Sequence, residues 1–224
     1  MRVGSERQTK PGYNAGMAHA TWTVLVVLTG CGAAPASPAA PGCPDGVMLV
    51  ASRGDLVRLA SCGTLRGLTV RSGAALDISA LRALTTITGD LVIGPTVAVE
   101  AIELPALRTV GGAVRVVGNG LLQRIRLPRL ERAGAVVIDG NPVVTTIALP
   151  RLQIVHGAVH VTDNAALELI DLAVLATVDQ ELVLTGDPGL SLVEAEQLQH
   201  AATVTIDAPQ LPLDVAERLR TAAR

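Results

Sequence analysis

Apolar residues return along this chain at fixed distances. Pairs separated by one residue occur at Leu68/Val70, Leu91/Ile93, Val114/Val116, Val136/Ile138, Val159/Val161, Leu182/Leu184 and Val204/Ile206, with steps of 23, 23, 22, 23, 23 and 22 residues. An apolar–x–apolar alternation is the signature of a strand with one buried face. A second register keeps the same steps through Leu84, Leu107, Leu130, Leu152, Leu175 and Leu198, and a third through Leu81, Leu104, Leu127, Leu149 and Leu172. Registers that hold phase over five or more copies predict a solenoid, in which each repeat buries its apolar face on its neighbours.

Turn residues divide each repeat into short apolar segments. Gly134 and Gly157 precede strand positions, Gly118 and Gly140 follow them, and Pro105, Pro128 and Pro150 recur at one corner. Proline has no amide to donate and belongs at a corner, not inside a ladder. A coil of three short segments with little helix predicts a right-handed parallel β-helix of about seven coils, each 22–23 residues long. At about 4.8 Å per coil, seven coils span roughly 30 Å. The column Thr96, Asn119, Asn141, Asn164 and Asp187 follows the first strand of each coil. Such residues tolerate left-handed geometry and bond nearby backbone, so a structural ladder is predicted. Calcium would require several oxygen ligands on one loop, and each turn offers one.

Both ends of the repeat carry capping signals. Residues 43–67 read as a cap made of a strand and a short helix, with Ser52 as helix N-cap and Leu56, Leu59 and Ala60 on one face. The Arg53-Gly54-Asp55 triplet inside it is better explained by a helix start than by adhesion chemistry. At the other end, Leu213 to Ala223 reads as a helix with Asp214 early and Arg218 and Arg220 late, in line with the helix dipole. Leu213, Ala216 and Leu219 are expected to cover the last coil and blunt its open edge.

Composition adds compartment and core type. The chain is 49% hydrophobic yet has no Phe, one Trp and one Tyr, so the core must be aliphatic. A net charge of −2 gives no global drive toward nucleic acid. Residues 1–30 read as a targeting segment, with Arg2, Arg7 and Lys10 ahead of the short apolar run Thr21 to Leu28. That run is far below the ~20 residues needed to span a bilayer. A start at Met17 would leave no Lys or Arg ahead of it.

Leu28-Thr29-Gly30-Cys31 resembles the lipobox of bacterial lipoproteins. The resemblance implies diacylglycerol on Cys31, cleavage before it and acylation of the new N-terminus; the rival reading is a secretory signal cut near Ala34. Two or three acyl chains would anchor stably. Gly32 after the cysteine implies, by the same resemblance, sorting to the outer membrane. Residues 31–42 are then an Ala/Pro-rich tether. With Cys31 acylated in an oxidising compartment, Cys43 and Cys62 are expected to pair.

The segments Gly89 to Gly94 and Leu149 to Gly157 (LPRLQIVHG) resemble the receptor L domain, the leucine-rich β-helical module of growth-factor receptor ectodomains and microbial surface proteins. The resemblance covers roughly residues 43–206 and implies a β-helix with an extracytoplasmic binding role. Growth-factor binding does not carry over, because the aromatic residues of a hormone-binding face are lacking.

The chain shows no catalytic constellation, no metal-ligand set and no cofactor motif. His156 and His160 are four apart, but on a strand they do not share a helical face. The acids Asp163, Glu168, Asp171 and Asp187 fall in different columns, which argues against a carboxylate-based, polysaccharide-active enzyme, the main rival reading. A purely structural envelope role is the other. Two surface features remain as candidates. The outward column Thr69, Val92, Arg115, Val137, His160, Val183 and Thr205 carries three valines on a flat sheet, expected to be exposed. From Arg108 to Arg151 the chain has seven Arg against two acids, and Arg124 and Arg126 are the centre of that run; from Asp163 to Glu196 it has eight acids and no Lys or Arg. The expectation is a lipid-anchored, extracytoplasmic, non-enzymatic binding or scaffolding module for an envelope protein or glycan, spanning residues 43–224.

Overall fold

The computed structural model describes residues 42–96 and 98–222. The targeting segment 1–30, Cys31, all of the tether but Gly42, and Ala223 lie outside the described residues. Within them the chain is a parallel β-solenoid of about seven turns with two α-helices. An 11-stranded sheet wraps two faces of the solenoid and a 5-stranded sheet forms the third.

The period-two pairs form the front face. Leu68, Leu91, Val114, Val136, Val159, Leu182 and Val204 stack in one parallel ladder, with Val70, Ile93, Val116, Ile138, Val161, Leu184 and Ile206 beside them. All but Val204 and Ile206, in the last coil, are buried. The five-stranded back sheet runs through Ala101–Glu103, Arg124–Arg126, Thr146–Ala148, Leu169–Asp171 and Leu192–Glu194. It points Ile102, Ile125, Ile147, Ile170 and Val193 inward. This buried register escapes a reading based on leucines alone.

The two leucine registers turn out to be the two ends of one tight turn. The Leu84, Leu107, Leu130, Leu152 and Leu175 amides donate to the carbonyls of Leu81, Leu104, Leu127, Leu149 and Leu172 at 3.1, 3.3, 3.1, 3.0 and 2.9 Å. Pro105, Pro128 and Pro150 sit just after the first leucine, where a fixed φ near −65° suits a β-turn. Both leucines of each of these turns are buried, so the turn staples the back sheet to the side of the core.

The corner between side and front faces accounts for the 22-residue steps. Thr109–Val117, Arg132–Asp139, Thr177–Thr185 and His200–Asp207 each run continuously round this corner, where two separate strands had been expected. The register shifts between Val110 and Ala113 and between Val178 and Glu181, because one coil spends a residue more at the corner than the next. Gly134 lies within its strand for a steric reason. A Cβ there would stand 2.6 Å from the carbonyl oxygens of both Gly111 and Gly112 in the preceding coil. Only glycine lets successive backbones approach so closely.

The polar column is a buried ladder. Thr96, Asn119, Asn141, Asn164 and Asp187 are at most 2% exposed. The Asn119, Asn141 and Asn164 amides donate to the side-chain Oδ1 of Asn141, Asn164 and Asp187 at 3.1, 3.2 and 2.8 Å. One expectation is corrected here. The left-handed residue is not the ladder residue but the one before it: Gly118, Gly140, Asp163 and Gly186 have φ of 67°, 63°, 56° and 72°. That turn aims the next side chain inward, where it bonds across coils.

Both caps are present. Cys43 and Cys62 form a disulfide with Cα atoms 5.6 Å apart, enclosing the strand Val47–Val50 and the helix Arg53–Leu59. The Ser52 hydroxyl accepts from the Asp55 amide and the Asp55 carboxylate accepts from the Ser52 amide, a capping box. A 3₁₀ turn at Ile78–Ala80, opened by Asp77, was not anticipated. The closing helix runs Leu213–Thr221. Ala216 and Leu219 are buried as expected, but Leu213 is 78% exposed. Leu213 begins the helix, and the buried position ahead of it falls to Leu211. The helix satisfies the last strand's edge directly: the Ala201 amide donates to the Ala222 carbonyl at 2.9 Å and Arg220 donates to the Ile206 carbonyl at 3.2 Å.

Candidate functional site

The outward front column is one ladder. Thr69, Val92, Arg115, Val137, His160, Val183 and Thr205 are paired strand to strand in that order. Leu49 of the edge strand extends it by one step and is 55% exposed. The three valines are half-buried, not exposed. Strands about 4.8 Å apart let each side chain shade the next, so an outward residue in mid-sheet keeps only part of its surface.

The two histidines of this region take separate acidic partners on the next coil. His156 Nδ1 lies 3.2 Å from Asp179 Oδ2 and His160 Nε2 lies 2.9 Å from Glu181 Oε1. They are not one chelating pair. Among the described residues no group of three or more His, Cys, Asp or Glu is placed to hold a metal ion. Reading the sequence by itself missed both partnerships. The signal was available, since Asp179 and Glu181 stand 23 and 21 residues on, one coil away.

The arginine run does not make a patch. Arg115 is on the front face, Arg132 on the side and Arg124 and Arg126 on the back sheet. Arg108 and Arg124 are tied to neighbouring acids, Arg108 Nη1 to Glu131 Oε1 at 2.6 Å and Arg124 Nε to Glu103 Oε1 at 3.0 Å. The seven arginines therefore form a band around the middle coils. The residues brought together as a candidate face divide in two: Val92, Arg115, Val137, His160 and Val183 on the front, and Arg124 with Arg126 on the back. On the back sheet Arg124 and Arg126 flank inward Ile125 and are both exposed.

Of the acids, Asp163 stands close enough to Asp187 to repel its charge, with Asp139 adding to this. Glu194 alone pairs in register with Asp171, on the outer side of the back sheet. Open hollows line the surface, among them one of about 520 Å³ beside Glu131, Arg151, Gln153 and Gln197 and one of about 280 Å³ between Arg53, Asp77 and Glu100.

Among the described residues three carboxyl groups are perturbed. Asp55 is lowered to about 2, first by the Ser52 hydroxyl, then by the Ala51 amide and Arg58. Its carboxylate is committed to the helix start, which removes it from the Arg-Gly-Asp triplet as a free ligand. Asp77 is held below its ordinary value by hydrogen bonds from Ser79. Asp187 is raised to about 6, chiefly by burial, with Asp163 and Asp139 adding repulsion.

Compared with known protein families, with curated proteins and with solved structures, the chain finds no match. Among the described residues no helix is long and apolar enough to cross a membrane.

Proposed function

We propose that this chain is an extracytoplasmic lipoprotein, anchored through Cys31, whose solenoid serves as a non-enzymatic binding or scaffolding module for an anionic glycan or protein of the cell envelope. The receptor L-like pattern of Gly89 to Gly94 and Leu149 to Gly157 supports the binding role. The observation that carries the choice of ligand is the pair Arg124 and Arg126. Both stand exposed on one strand of the back sheet, and although Arg124 is tied to Glu103, two guanidinium groups two residues apart suit carboxylate, sulfate or phosphate.

The two halves of this reading are tested separately. Mass spectrometry of the chain recovered from its native envelope is expected to find the mature N-terminus at Cys31 carrying acyl groups. A mature chain that begins downstream with no lipid removes the anchor. For the ligand, the double variant Arg124→Glu, Arg126→Glu is expected to lose retention on an immobilised anionic polysaccharide at low salt, with the parent's retention fading as salt is raised. Equal retention of parent and variant rejects the arginine pair as the contact.

A further inference from the structure

The polar ladder ends on a residue whose chemistry differs from the rest of the column. In the two coils before it, the side-chain amide nitrogen of the asparagine bridges two carbonyls. Asn141 Nδ2 donates to Val116 and Asp139 at 3.0 and 3.1 Å, and Asn164 Nδ2 donates to Ile138 and Thr162 at 3.1 and 2.8 Å. One coil on, the register makes the Val161 and Thr185 carbonyls the counterparts of this pair for Asp187. Asp187 Oδ1 takes the ladder's usual role and accepts from the Asn164 backbone amide at 2.8 Å and its Nδ2 at 3.2 Å. Its Oδ2 then occupies the place of the donating amide. That oxygen is buried and has no hydrogen-bond partner among the described residues.

An ionised carboxylate in that place sets an acceptor against acceptors in a site without water-like screening. A neutral carboxylic acid is different, because its O–H donates as the asparagine amide does. The charged neighbours push the same way. Asp163 on the left-handed turn and Asp139 further back both oppose a negative charge at Asp187. From the last strand, Asp207 stands next to Thr185 in register. Of the two cations of the closing helix, Arg218 and Arg220, the latter is engaged at the Ile206 carbonyl.

We propose that Asp187 is a proton-operated latch for the C-terminal coils: protonated, it completes the ladder and holds Leu182–Thr185 and the strand His200–Asp207 closed; ionised, it loosens them. Its position above the usual carboxylate range, about 6 against 3.8, fits this assignment. The folded state binds the proton more tightly than the unfolded chain, so this contribution is complete below about pH 4 and is lost as pH rises through about 6. An ordinary salt-bridged aspartate behaves in the opposite sense. A difference of this size corresponds to about a hundredfold in the folded-to-unfolded ratio. The latch goes beyond the proposed binding role, and its test does not depend on any ligand. On the outer side of a membrane, the surrounding pH would set how firmly the last coils are closed.

The test is the thermal midpoint of the full-length chain between pH 4.5 and 7.5, with the carboxyl ¹³C shift of Asp187 followed over the same range. The parent is expected to gain roughly 5–10 °C over Asp187→Asn between the alkaline and the acid end, and the variant to lack this component and to be the more stable of the two at pH 7.5. The His156–Asp179 and His160–Glu181 pairs are common to both chains and cancel in the comparison. A second variant, Asp163→Asn, keeps the ladder and removes the nearest repelling charge; it is expected to move the Asp187 midpoint toward lower pH. Identical pH profiles for parent and Asp187→Asn, or an Asp187 carboxyl that titrates below pH 4.5, overturns the latch.

Discussion

Replacing Asn141 by alanine will cost the domain roughly 3–5 kcal/mol, a loss from a surface-to-volume viewpoint out of proportion to one small polar side chain. Asn141 sits at the centre of the buried ladder and is 0% exposed. Its Oδ1 accepts from the Asn119 amide and Nδ2, and its own Nδ2 donates to Val116, Asp139 and Asn164. Alanine removes all of these at once. The Asn119 amide and the Val116 carbonyl would then be buried without this partner, at about 1–3 kcal/mol for each group left unsatisfied. The vacated volume adds a cavity term. Because a solenoid coil is held by its two neighbours, the defect is felt on both sides of the break. Urea unfolding of parent and variant measures the difference. A change below about 1 kcal/mol would show that solvent reaches the ladder and satisfies it.

The size of that effect follows from a column that was visible in the sequence, though its direction was not. Spacing placed Asn119, Asn141 and Asn164 in one column, and the amide chemistry of asparagine implied bonds between coils. What spacing could not supply was orientation. Asparagine suits an exposed left-handed turn as well as a buried ladder, and the two are separated by a single φ angle at Gly118 or Gly140. The same ambiguity hid Asp187. In a turn, aspartate and asparagine are near equivalents; in a dry ladder one is a donor and the other, when ionised, is not.

The candidate surfaces show a parallel limit. The front column from Thr69 to Thr205 was legible because side chains alternate strictly along a strand. The exposure of Val92, Val137 and Val183 was not, because it depends on neighbours one coil away on either side. Arg115, Arg124 and Arg126 are close in sequence, yet one turn of the chain sends the last two to the opposite sheet. In a solenoid, charge counted along the chain reports on a coil and not on a face. Pairs such as His160 and Glu181 become visible only when residues about one period apart are compared.

Cys43→Ser will lower the stability of the oxidised chain by about 3 kcal/mol, by the loop-closure entropy that a cross-link removes from the unfolded ensemble. The two cysteines are 19 residues apart and bracket the whole N-terminal cap. The cap needs the tie for a structural reason. Its helix is only seven residues long, below what holds a helix together without packing, and buries just Leu56 and Leu59. Its strand, Val47–Val50, is the edge of the 11-stranded sheet, paired on one side through Gly67–Val70. Val47 and Leu49 on that edge are 71% and 55% exposed, so the strand's burial rests on Val50 with Met48 beside it. If the cap detaches, the next edge exposed is Gly67–Val70, whose Leu68 and Val70 belong to the core. The loss should therefore be followed by association of the opened edges, an outcome expected of uncovered strands. Chemical denaturation with and without reductant makes the measurement. The parent should fall to the level of Cys43→Ser when reduced, and the variant should be indifferent to reductant. A parent whose stability is the same in both conditions would mean that packing of Leu56 and Leu59 suffices to hold the cap.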